Sequence, residues 1–220
     1  MSDPILSLSG VCTDIAQYHI LQGVDLEVGR GGVTMLLGRN GVGKTTTLRT
    51  VIGHWQARAG IGFVPEDMGI FSGLTVEENM TLAAASGPLD TARRDWLFSV
   101  FPPLRTFWRS AAGTLSGGQK QMLSIARAMA EERRLYLIDE PTKGLAPAII
   151  STMVGALREL KSQGASILMV EQNFAVAKAL GDQVAVMEDG CIIWTGAMAD
   201  LAADAALQER LMGLSMEVEA

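Results

Sequence analysis

Gly38-Arg39-Asn40-Gly41-Val42-Gly43-Lys44-Thr45 follows the apolar run Val33–Leu37 and leads directly into a segment of helical period, Lys44–Ile52. A strand, a glycine-rich turn of the pattern G-x-x-x-x-G-K-[ST] and a helix, in that order, make a phosphate-binding loop. The glycines let backbone N–H groups curl round phosphate oxygens, and the helix N-terminus adds the positive end of its dipole. Lys44 reaches the outer phosphates and the Thr45 hydroxyl ligates Mg2+. The candidate nucleotide-binding residues are therefore Gly38, Arg39, Asn40, Gly41, Val42, Gly43, Lys44, Thr45 and Thr46. An incidental glycine-rich turn has no need of all four fixed positions between a strand and a helix.

Two further stretches belong to the same chemistry. Leu135-Tyr136-Leu137-Ile138-Asp139-Glu140 is an apolar strand that ends in two acids, and carboxylates rarely end a buried strand without a partner or a task. Asp139 is the candidate to hold Mg2+, directly or through water, and Glu140 the candidate to polarise the water that attacks the γ-phosphate. Leu115-Ser116-Gly117-Gly118-Gln119 precedes a helical run. Ser116-x-x-Gln119 is a capping box, but a cap has no need of two successive glycines, which weaken a first turn. Gly117 and Gly118 together suggest close approach by a phosphate.

Short β-rich runs alternate with longer helical segments, which argues for an α/β sheet flanked by helices. The strands read as Val33–Leu37, Ile61–Val64, Leu135–Asp139, Ser166–Val170, Gln183–Glu188 and Cys191–Thr195, the last two joined by the hairpin signal Asp189-Gly190. Helices are expected over Lys44–Ile52, Val76–Ala85, Ala92–Phe101, Ser116–Glu132, Pro147–Gln163, Asn173–Leu180 and Ala199–Leu211. The stretch 67–112 lacks strand signals and carries Pro88, Pro102 and Pro103, so it reads as an inserted helical subdomain. The remainder, 1–66 and 113–220, forms the core of a single domain.

With 220 residues, 48% hydrophobic and 19% charged, the chain is long enough to bury a core without staples. No apolar run approaches the eighteen or so residues that span a bilayer. The amino terminus lacks the features of a secretory signal, and Cys12 and Cys191 are too few for a disulfide framework, so a reducing, cytoplasmic setting is expected. A net charge of −6 has the wrong sign for holding nucleic acid by bulk electrostatics. Twelve methionines suit either a sticky partner surface or a generously packed core.

On the phosphate-binding loop, Leu115–Gln119 and Leu135–Glu140 together, the chain resembles the ATP-binding subunits of ABC transporters over essentially its whole length. The resemblance implies a P-loop ATPase core of that family, with ATP and Mg2+ as cofactors. It also implies two cassettes dimerising head to tail, so that Ser116, Gly117, Gly118 and Gln119 serve the site of a second ATPase subunit. Val64-Pro65-Glu66, Leu74–Asn79, Asp139–Pro147 and Val170-Glu171-Gln172-Asn173 resemble the second ATPase subunit of bacterial branched-chain amino-acid importers. Urea and short-chain amide importers are closely similar. The implied partners are transmembrane permease subunits and, indirectly, a periplasmic solute-binding protein, with the chain peripheral on the cytoplasmic face of the inner membrane. Phe71, Leu74, Phe98, Phe101, Leu104, Phe107 and Trp108 are expected either to line a groove for a permease helix or to form the subdomain's own core.

Three positions depart from the common pattern of the family. Glu66 stands at the Q-loop glutamine, where a carboxylate can still ligate Mg2+ or turn outward without nucleotide. Gln172 stands at the switch histidine, able to donate a hydrogen bond to the γ-phosphate but unable to carry a proton away. Ala146 replaces the D-loop aspartate. These changes favour a non-identical partner subunit and leave open a hydrolysis-weak regulatory cassette. A soluble ABC ATPase of DNA repair or translation resembles longer chains, and a P-loop GTPase lacks its N-K-x-D motif here. The adenine-stacking position falls near Ile15, with Tyr18 the nearest aromatic, or else Tyr18 is buried in an amino-terminal sheet. The stretch between Lys44 and Glu66 is shorter than in the family by about twenty residues, enough for two strands and their turns. The antiparallel β arm is thus reduced around Trp55–Gly60, or a segment of the natural chain has been left out there, which the cut-like flanks favour.

Overall fold

The computed structural model describes residues 3–54, 60–84 and 87–213. The reduced arm expected around Trp55–Gly60, and the end of the helix expected over Val76–Ala85, fall partly on residues 55–59 and 85–86, outside the described residues.

Six strands form the central sheet: β3 (Val33–Leu37), β4 (Ile61–Val64), β5 (Leu135–Asp139), β6 (Ser166–Val170), β7 (Gln183–Glu188) and β8 (Cys191–Ala197), in the order β4-β5-β6-β3-β7-β8. All neighbours are parallel except the β7–β8 hairpin. Every residue of β3, β5 and β6 is buried, as a parallel sheet covered on both faces requires. The hairpin turns at Asp189-Gly190, where both residues have positive φ, 43° and 79°, the backbone of a type I′ turn.

Alternation along the strands sorts side chains to two layers. Met35, Tyr136, Ile138, Ile167 and Met169 face the helices α5 (Gly117–Ala128), α6 (Pro147–Ser162) and α7 (Phe174–Leu180). Leu36, Leu135, Leu137, Leu168 and Val170 face α1 (Lys44–His54) and a separate antiparallel pair, β1 (Leu6–Ile15) and β2 (Tyr18–Val28). That pair was not among the strands drawn from the sequence, although Val24-Asp25-Leu26-Glu27-Val28 carries the period-2 signal. The irregular register between Leu8 and Asp14 blurs it in β1.

The stretch 67–112 contains α2 (Val76–Ala83), α3 (Thr91–Val100) and α4 (Pro102–Thr106). Its Val76, Met80, Leu97, Phe101 and Leu104 are buried in one cluster with Met122, Leu123 and Met153, so it shares the core of the helical layer. Phe101 and Leu104 are therefore core residues and do not line a groove. Phe98, Phe107 and Trp108 pack partly buried against the same cluster, and Phe71 is exposed. The sequence reading draws no helix over α4; Pro102 and Pro103 occupy its first turn, where no N–H is needed.

Two expected helices end elsewhere. α5 stops at Ala128 rather than Glu132 because the chain folds inward at Met129 and Ala130, both buried, and the Arg93 guanidinium donates to the Met129 carbonyl (2.8 Å). The alanine-rich tail splits into α8 (Met198–Ala203) and α9 (Ala205–Met212), since Asp204 caps the second, its carboxylate accepting from Leu207 N–H (2.9 Å). Among the described residues, no helix is long and apolar enough to cross a membrane.

Candidate functional site

The parallel registers bring four strand ends to one edge. Leu36 pairs with Val170, Val170 with Asp139, and Val64 with Ile138. The segments leaving β3, β6, β5 and β4 at their carboxyl ends therefore line up, and they carry the phosphate loop, Gln172, Asp139-Glu140 and Glu66. Ligands of open α/β sheets bind at that edge.

The loop at the end of β3 is shaped by close contacts. Gly38 has φ +145°, and a Cβ there would sit 2.3 Å from the Met187 carbonyl oxygen. Gly43 has φ +110°, and its Cβ would meet Leu21 at 2.9 Å. No other residue type fits either place. Gly190 N–H donates to the Val42 carbonyl (3.0 Å), so the β7–β8 turn braces the loop. Arg39, Asn40 and Gly41 are exposed at its tip, and Thr46 is half-buried at the start of α1.

Lys44 is buried, and its ammonium donates to the carbonyls of Gly38 and Arg39, both at 2.8 Å, with Glu140 Oε1 at 3.9 Å. Burial pulls its pKa below the ordinary lysine value, against the pull of Glu140 and Asp139. The Thr45 hydroxyl donates to Asp139 Oδ1 at 3.1 Å. Burial raises the Asp139 pKa, the Thr45 hydrogen bond opposes this, and the nearby Glu66 and Glu140 add to it. A hydroxyl and a buried carboxylate side by side are hard oxygen donors, and Mg2+ characteristically takes one or two such protein ligands beside substrate phosphates. The residues present fit that ion.

Glu140 lies just beyond β5 with φ 44°, a left-handed backbone that costs a residue with a side chain about 1–3 kcal/mol and persists where the surroundings over-determine it. Gln172 Nε2 donates to Glu140 Oε1 at 2.5 Å, and Lys143 Nζ lies 3.5 Å from Oε2. The Glu66 carboxylate pairs not with Thr45 or Asp139 but with Lys143 Nζ, at 2.6 Å. That hydrogen bond, followed by the field of Glu140, raises the Lys143 pKa. The structure thus brings Lys44, Thr45, Asp139, Glu140 and Gln172 together, and sets Glu66 at the outer margin.

Ser116 caps α5 in a full capping box with Gln119: Ser116 N–H donates to Gln119 Oε1 (2.9 Å) and Gln119 N–H to Ser116 Oγ (3.4 Å). The two glycines differ. A Cβ on Gly118 would stand 2.9 Å from Ile149 Cγ2, so packing of α5 on α6 demands that glycine; a Cβ on Gly117 would meet nothing within 4 Å. Only Gly117 retains the phosphate-approach rationale. Ala146 caps α6 with no side-chain bond. Tyr18 is 64% exposed and pairs with Ile15, 52% exposed, at the tip of the β1–β2 hairpin. The buried alternative for Tyr18 is overturned: hairpin-tip residues have nothing above them. The loop's neighbour Ile20 follows two residues on.

Lys143, Thr142 and Glu171 went without a role in the sequence reading. The available signal was an acid, Glu171, directly after the wholly apolar end of β6, the same pattern that marked Asp139-Glu140.

The family model for the ABC transporter matches residues 21–143. The "High-affinity branched-chain amino acid transport ATP-binding protein BraG" of Pseudomonas aeruginosa is 34% identical over 232 residues, covering 95% of this chain and 100% of that protein. An alignment longer than this 220-residue chain means that the relative carries residues this chain lacks. The "Probable branched-chain amino acid transport ATP-binding protein LivF" of Archaeoglobus fulgidus is 30% identical over 222 residues, covering 90% of this chain and 94% of that one. A solved ATP-binding subunit of an ABC transporter superposes with a TM-score of 0.79 at 27% identity, covering 95% of each chain.

Proposed function

The chain belongs to the ABC transporter family and is its ATP-hydrolysing type of subunit; on that premise we propose that it powers uptake of branched-chain amino acids through a membrane permease. The names of the two relatives at 34% and 30% identity support the solute class. The observation that carries the reading is the alignment of Lys44, Thr45, Asp139, Glu140 and Gln172 along one sheet edge.

ATP phosphates lie in the loop Gly38–Thr45. Lys44 then gives up the two carbonyls it holds and turns its donors to the outer phosphate oxygens. Mg2+ supplies neutralisation of phosphate charge, with Thr45 and Asp139 as its protein ligands. Water attacks the γ-phosphorus as Glu140 takes its proton, and ADP leaves. Gln172 holds Glu140 in place and offers its amide N–H to the γ-phosphate. Glu66 reaches the site only by leaving Lys143. In this reading Tyr18, exposed at the hairpin tip, stacks on adenine.

Ser116, Gly117, Gly118 and Gln119 complete the site of a second ATPase subunit, and that subunit's signature completes this one. Glu66, Gln172 and Ala146 favour a non-identical partner. The assembly includes permease subunits and a periplasmic solute-binding protein, places this chain peripherally at the cytoplasmic face of the inner membrane, and involves no nucleic acid.

The test is uptake of labelled leucine, isoleucine and valine by cells deleted for this subunit. Wild type restores uptake and Glu140→Gln does not. Restored uptake of urea or acetamide alone overturns the solute assignment.

A further inference from the structure

Glu171 is the best-satisfied buried carboxylate of the described residues and has no place in the chemistry above. It is 2% exposed and accepts four hydrogen bonds. Oε1 takes the Thr142 hydroxyl (2.5 Å) and the Thr142 N–H (3.3 Å). Oε2 takes the N–H groups of Gln172 (2.9 Å) and Asn173 (3.0 Å). An ionised carboxylate is acceptor-only, with about four lone-pair sites, so the donors match its capacity.

These bonds close a ring. From Glu140 the chain runs through Pro141 to Thr142, across the Glu171 carboxylate to the Gln172 backbone, and back through Gln172 Nε2 to Glu140 Oε1. The backbone is tied at the same place, since Glu140 N–H donates to the Val170 carbonyl at 3.0 Å. The ring holds the left-handed φ of Glu140 and the reach of Gln172 with one cross-link. A β5 end and a β6 end that each carry a reacting side chain thereby move as one piece.

We infer that Glu171 is a positioning residue for hydrolysis: its carboxylate fixes the Gln172 loop to the Glu140 turn, setting the distance between the base and the side chain that meets the γ-phosphate. The inference rests on the proposed ATPase chemistry for its consequence, but the clamp itself is measurable without turnover. A glutamine replaces it incompletely. Its amide oxygen can take the Gln172 and Asn173 N–H groups and its NH2 can donate to the Thr142 hydroxyl oxygen, but the Thr142 N–H is left without an acceptor and the remaining bonds lose their charge.

The experiment compares wild type, Glu171→Gln, Gln172→Ala and the double variant, each assembled with the partner subunit. Wild-type turnover is measured first. Glu171→Gln should lower kcat about tenfold or more while KM and the affinity for a fluorescent ATP analogue stay within about twofold. On the Gln172→Ala background the same change should have little further effect, because the side chain being positioned is gone. Equal loss on both backgrounds, or a loss of nucleotide affinity that matches the loss of kcat, overturns the inference. Should Glu171→Gln not assemble, Thr142→Val removes one of the four bonds and should show the same kcat-only pattern at smaller size; an unchanged kcat there overturns it. Amide hydrogen exchange in the nucleotide-free chain separates the two readings. Glu171→Gln should speed exchange about tenfold or more at Thr142, whose N–H is left without an acceptor, and less at Gln172 and Asn173, whose bonds lose their charge, even if no variant hydrolyses ATP, which would refute the proposed function alone. Unchanged exchange at those amides overturns the clamp.

Discussion

The two glycines that begin α5 should respond oppositely to the same substitution. In Gly118→Ala the new methyl lies 2.9 Å from Ile149 Cγ2, 3.1 Å from Cγ1 and 3.4 Å from Cδ1. Ile149 is β-branched and sits in the first turn of α6, where one χ1 rotamer dominates, so it cannot swing aside freely. Either Ile149 leaves its rotamer or α5 moves off α6. Overpacking of this kind costs about 1–3 kcal/mol, and alanine returns about 1 kcal/mol of helix propensity. The net is a loss of about 1 kcal/mol, a fall in Tm of about 2–4 °C for a chain of this size. Gly117→Ala has open space around its methyl, so its Tm should match or slightly exceed wild type. Under the proposed pairing with a second ATPase subunit, however, the Gly117→Ala methyl meets the partner's phosphate, and turnover at that site should fall about tenfold or more. Thermal melting of both variants and ATPase assays of the assembled pairs read these effects. A Gly118→Ala chain as stable as Gly117→Ala, or a fully active Gly117→Ala pair, refutes the division of roles.

Two further outcomes follow from the geometry. Burial holds the Asp139 carboxyl above its ordinary pKa of 3.8, so ionising it costs the folded state. That cost is absent below pH 3.8, appears as pH rises from there through the raised folded value, and persists at neutral pH. Asp139→Asn should therefore melt higher than wild type at neutral pH without Mg2+, with the advantage vanishing in acid; an advantage that grows in acid contradicts it. Thr75→Ala breaks the capping box of α2, in which Glu78 N–H donates to Thr75 Oγ1 (3.1 Å) and Thr75 N–H to Glu78 Oε2 (2.7 Å). It should cost about 1 kcal/mol, seen as a lower Tm with ATP affinity unchanged, and an unaltered Tm counts against it.

The strands β3, β5 and β6 were legible because a parallel strand buried on both faces is a short, mostly apolar run of β-forming residues. The site was legible where one stretch carries the whole motif, as in Gly38–Thr45 and Asp139-Glu140. The β1–β2 arm was not, since its alternation is clean only over Val24–Val28 and β1 is interrupted by register shifts. Asp204 was overlooked in an alanine-rich tail because one capping aspartate outweighs the propensity of the alanines around it. Lys143 and Glu171 had to wait for the fold. Lys143 meets Glu66 across 77 positions and Glu171 meets Thr142 across 29, and such pairs exist only once β4, β5 and β6 lie side by side. Gly118 shows the converse, a residue whose motif suggested ligand chemistry but whose neighbour Ile149 explains it by packing.

In the proposed function Glu140 drives hydrolysis in a site completed by a second subunit. The most direct test is Mg-ATP hydrolysis by the purified chain, alone and mixed with its partner ATPase subunit, with Glu140→Gln as control. Activity that rises steeply with the partner, and that Glu140→Gln lowers at the site built on this chain's phosphate loop, is the predicted result. Normal turnover at that site in Glu140→Gln, or ATP binding without Glu140-dependent turnover in either setting, contradicts the account.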